Sequence, residues 1–98
     1  MLMENKQNIT NVIEGKPFYN AAKITDLKDM ISYCRQRYSD NIAFRFRRIP
    51  DSEIETRTYS QLASDIDSFG SALVRMGLKD SRIAIIGENR YEWVVAYL

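Results

Sequence analysis

The sequence predicts a mixed α/β chain in the order α-β-β-α-β-α, a β-hairpin followed by a right-handed βαβ unit. Three patterns carry this. Apolar residues at steps of three and four mark two amphipathic helices, strict alternation marks a hairpin strand, and one short apolar run marks a buried strand. At 98 residues the chain holds one domain at most. We divide it into an extended lead-in, residues 1–24, and a folded segment, residues 25–98. The lead-in is polar and aperiodic, and Gly15-Lys16-Pro17 breaks any regular element in it. Phe18 and Tyr19 are its expected packing residues.

Thr25 is the expected N-cap of the first helix, with Asp26 in the first turn. Leu27, Met30, Ile31, Cys34 and Tyr38 then fall on one face, and Ser39-Asp40-Asn41 ends the helix. Ile42 to Arg47 alternates apolar and mostly charged residues, as a strand with one buried face does. Pro50-Asp51-Ser52 forms a turn, and Ile54 to Thr58 is the returning strand. Thr58-Tyr59-Ser60-Gln61 fits a capping box. Its helix carries Leu62, Ile66, Phe69, Leu73 and Met76 on one stripe, flanked by the small or slender Ala63, Gly70 and Val74. Gly77 suits a left-handed cap. Arg82-Ile83-Ala84-Ile85-Ile86 reads as a buried parallel strand. The crossover through the long helix is right-handed, by the general rule for such units. After Gly87-Glu88, Asn89 is the expected cap of a last helix, with Glu92 three residues on.

Composition excludes several function classes. Fourteen basic and thirteen acidic residues give a net charge of +1, whereas nucleic-acid binders are usually far more basic. The single cysteine, Cys34, cannot form an internal disulfide, and the absence of histidine removes Ser-His and Cys-His catalysis and histidine-ligated metals. Neither a signal-peptide run nor 18 consecutive apolar residues is present, so the expected location is cytoplasmic. The sequon Asn8-Ile9-Thr10 is therefore read as coincidence.

The candidate chemistry is sparse. Gly87-Glu88-Asn89 joins a strand to a helix, a common phosphate position. It has one glycine, no Gly-Lys-Ser or Gly-Lys-Thr, and Glu88 and Glu92 to repel an anion, so it reads as a turn. Arg45, Arg47, Arg48 and Arg57 could line one hairpin face near Phe44 and Phe46 as an RNA-binding sheet. Alternation sets the phenylalanines opposite Arg45 and Arg47, and Asp51, Glu53 and Glu55 offset the charge, which favours a solvated face. Cys34 and Trp93 read as core residues, and the pairs Asp65/Asp67 and Glu53/Glu55 as surface charge.

Five strings in order carry a resemblance. They are Ala43-Phe44-Arg45-Phe46, Thr58 to Leu62, Ala72 to Lys79, Arg82 to Ile86, and Glu88-Asn89-Arg90-Tyr91-Glu92-Trp93. Together, from about Asp26 to Leu98, they resemble the N-terminal region of the AMP-forming acyl-CoA synthetases, in the adenylate-forming ligase superfamily. The Glu-Asn-Arg-x-Glu-Trp string looks most like the long-chain fatty acid–CoA ligases. Two departures stand out. Lys79-Asp80-Ser81-Arg82 replaces the family's usual Gly-Asp pair, and Tyr91 stands where long-chain members often have proline.

The resemblance implies a two-step reaction for a complete enzyme. ATP and a carboxylate give an acyl-adenylate and pyrophosphate, with Mg2+ assisting. The thiol of coenzyme A then displaces AMP to form the thioester. The family's Ser/Thr/Gly-rich loop ending in Pro-Lys, its adenine and ribose segments and its catalytic lysine have no counterpart in this sequence. No catalytic, cofactor-binding or metal residue is carried over. ATP, Mg2+ and coenzyme A are implied for a full-length parent and none for this segment.

The apolar ending Trp93-Val94-Val95-Ala96-Tyr97-Leu98 has no stop signal, so the chain is expected to be an incomplete, catalytically inactive N-terminal piece of a larger domain. Its expected partners are the rest of the parent chain, with self-association through the 93–98 helix and no nucleic acid. Two alternatives are a stand-alone interaction module with Trp93 at its interface, and the N-terminal piece of an amino-acid adenylation domain.

Overall fold

A computed structural model describes residues 11–98. The ordered elements are α1 (Leu27–Arg37), β1 (Ile42–Phe46), β2 (Glu55–Thr58), α2 (Tyr59–Arg75) and α3 (Tyr91–Tyr97). The architecture is mixed α/β, with β1 and β2 as an antiparallel hairpin. Residues 11–24 contain no helix or strand, and Phe18 and Tyr19, expected to pack, are exposed. The sequon at 8–10 lies outside the described residues.

Helix α1 starts one residue later than its cap signal suggests. Asp26, not Thr25, is the N-cap, and its carboxylate accepts the Asp29 N–H at 2.7 Å. A carboxylate accepts this bond more strongly than a hydroxyl does. Thr25 instead donates its N–H and Oγ1 to Asp29 Oδ2, at 3.0 and 3.3 Å. The turn at 39–41 then feeds two carbonyls to the next helix. Tyr59 N–H donates to Asn41 and Ser60 N–H to Ser39, which satisfies donors that a helix start leaves without partners.

In the hairpin, Phe44 lies opposite Arg57, Arg45 opposite Thr56 and Phe46 opposite Glu55. The register shifts by one residue at Ala43, a bulge that pairs Ile42 with Thr58. The connection closes through a turn in which Ser52 N–H donates to the Ile49 carbonyl, with Pro50 second in the turn.

Helix α2 confirms both of its end signals. Thr58 Oγ1 accepts the Gln61 N–H at 3.2 Å, and Gln61 Oε1 accepts the Thr58 N–H at 2.8 Å. At the other end Gly77 has φ +78°, Leu78 N–H donates to Leu73 and Gly77 N–H to Val74. That is the Schellman pattern, and its left-handed residue is the one that favours glycine. Thr58→Ala is expected to cost about 1 kcal/mol through loss of the cap. A urea titration followed by helical circular dichroism measures it, and an unchanged midpoint contradicts the capping argument.

The third expected strand does not form. Arg82–Ile86 pairs with no strand among the described residues, so the hairpin stands alone and the βαβ unit is not closed. Parallel strands need neighbours and cover on both faces. A four-residue β2 and a single long helix do not supply them. Ile83 and Ile86 are 49% and 97% exposed. Only Leu62, Ala63 and Tyr91 are buried among the described residues. The Cα radius of gyration is 19.7 Å, against about 13 Å for a compact domain of this length.

Candidate functional site

The small core sits where α2, α3 and one hairpin face meet, and Tyr91 is its centre. The residue opens α3 and is 7% exposed. Its ring stacks on Phe46, with centroids 5.5 Å apart and planes at 4°, and meets Phe44 edge-on at 5.6 Å. Its hydroxyl donates to Asp65 Oδ2 at 2.6 Å. Burial, and then the Asp65 hydrogen bond and charge, hold the phenol well above its ordinary ionisation range. A tyrosine serves here because one end is apolar and the other finds a polar partner.

Two arginines close over this cluster. Arg57 lies 5.4 Å from the centroids of both Phe46 and Tyr91, and Arg48 lies 5.1 Å from that of Phe46. Arg48 Nε donates to Glu55 at 3.0 Å and its Nη1 to Glu92. Arg57 reaches Glu55 at 3.5 Å. The Arg48 hydrogen bond, and then a backbone hydrogen bond at Glu92 itself, hold the Glu92 carboxyl below the ordinary carboxylate range. Beside this network lies an open groove of about 570 Å³ between Phe44–Arg48 and Glu88–Val94.

The four hairpin arginines therefore do not share one face. Arg57, opposite Phe44, joins the aromatic side with Arg48. Arg45 pairs across from Thr56, and Arg47 donates to the Pro50 carbonyl. The two arginines on the aromatics are bonded to carboxylates. Asp65 and Asp67, read as surface charge, also separate. Asp67 pairs with Arg35 at 3.2 Å in the open, while Asp65 holds Tyr91. Cys34 is half-buried. Trp93 is half-buried and stacks on Tyr97 at 5.3 Å. The α3 cap is Arg90, not Asn89, and it makes no side-chain cap bond. Asn89 lies in the bend before the cap position.

The model of one family, the AMP-binding enzymes, matches residues 32–98, about two thirds of the chain. The chain belongs to that family. Neither the curated proteins nor the solved structures give a match.

Measured against a nucleotide and its metal, the groove's donors do not fit. Glu88 and Glu92 line it with carboxylates, which repel an anion, and Arg48 is held by Glu55 and Glu92. No group of three acidic or cysteine side chains suited to a metal ion occurs among the described residues. Likewise, no helix among them is long and apolar enough to cross a membrane. Tyr91 also explains one departure noted above. Proline fits the first position of a helix, but at this position of an AMP-binding chain it would leave Phe44, Phe46 and Asp65 without their shared partner.

Sequence reading missed the Tyr91–Asp65 pair. The two lie 26 residues apart and share no local motif. The available hint was the two phenylalanines on one strand face, which need an apolar partner from elsewhere.

Proposed function

We propose that this chain is an N-terminal piece of a long-chain fatty acid–CoA ligase, serving as scaffold for catalytic machinery carried by other parts of the enzyme. The observation that carries this reading is the family match over residues 32–98 together with the string Glu88-Asn89-Arg90-Tyr91-Glu92-Trp93. The open core supports it. Ile83, Ile86, Val74 and Met76 are apolar and exposed, as residues are that a larger domain covers. In this reading ATP, Mg2+ and coenzyme A bind elsewhere in the parent, the rest of the parent chain is the main partner, and the enzyme works in the cytoplasm.

Two experiments test it. The native gene is expected to continue past codon 98 into a Ser/Thr/Gly-rich segment ending in Pro-Lys, and a stop at that point overturns the ligase reading. The complete product is expected to drive ATP–pyrophosphate exchange with long-chain fatty acids, whereas the 98-residue chain alone shows none. Exchange only with amino acids would move the assignment to an adenylation domain of the peptide-synthetase kind.

A further inference from the structure

We draw no further inference here: the strongest candidate, the open groove between Phe44–Arg48 of the hairpin and Glu88–Val94 at the start of α3, belongs to the site already described, and nothing in the structure shows what covers it.

Discussion

Tyr91→Ala is expected to abolish the cooperative unfolding of this chain. The substitution removes the ring stacked on Phe46 and set edge-on to Phe44, and with it the hydroxyl bonded to Asp65. Truncating a large buried aromatic costs about 3–5 kcal/mol. Whole domains are stable by only about 5–15 kcal/mol, and a chain with three buried residues among those described belongs at the low end. The ring ties α3 to the hairpin and its hydroxyl ties α3 to α2, so Trp93 fluorescence should report its release. Tyr91→Phe keeps the ring and loses one hydrogen bond, for about 1–2 kcal/mol, because water can reach the half-buried Asp65. Urea titrations of the three proteins measure the order. A wild-type midpoint for Tyr91→Ala would show that the aromatic cluster contributes little.

The same tyrosine sets an alkaline limit. Unfolded, its phenol ionises near pH 10. Folded, it holds its proton to higher pH because of burial and Asp65. Above pH 10 the unfolded state therefore binds fewer protons than the native state, and stability falls as pH rises. The contribution is fully present below that point. Tyr91→Phe should flatten the fall. Glu92 acts at the other end of the scale. Its carboxyl is held low by Arg48, so what it contributes is present above the ordinary glutamate range and is lost as pH falls through its folded value. Glu92 is half exposed, so its contribution stays small.

What was legible in the sequence was local. The Thr58–Gln61 box and the Gly77 cap each span a few residues, and the structure forms both as the residues prescribe. The hairpin followed from alternation and one proline turn. What was not legible depended on partners far along the chain. Arg82–Ile86 has strand chemistry, yet a strand exists only when another lies beside it, and no described segment does. The hairpin arginines were sorted by alternation alone, which cannot foresee that Arg57 faces Phe44 through the register. Asp65 looked like surface charge because nothing within a helical turn of it called for a carboxylate. The two misplaced caps are smaller errors of the same origin. At 25–26 two good cap residues adjoin, and at 89–90 the helix begins where Tyr91 docks, not where the best capping side chain stands.

Leu62→Ala and Phe69→Ala should differ sharply in this chain, although both residues lie on one stripe of α2. Leu62 is 3% exposed, close to the hairpin end, whereas Phe69 is 39% exposed. Burying one leucine fully and then deleting it costs about 2–5 kcal/mol. Phe69 keeps much of its surface in water, so its truncation should cost well under half as much, since the loss scales with the apolar area removed from water. Its periodicity still asks for burial. The ligase reading supplies the cover from the rest of the parent domain, and so the difference should narrow in a longer chain. Unfolding midpoints of both variants, measured in the 98-residue chain and in the complete gene product, give the comparison. Equal costs in the short chain would mean that the far half of α2 is already covered in solution. A gap that persists in the long chain would mean that the parent leaves this face open, and the stripe would then have to be explained as a contact with a different molecule.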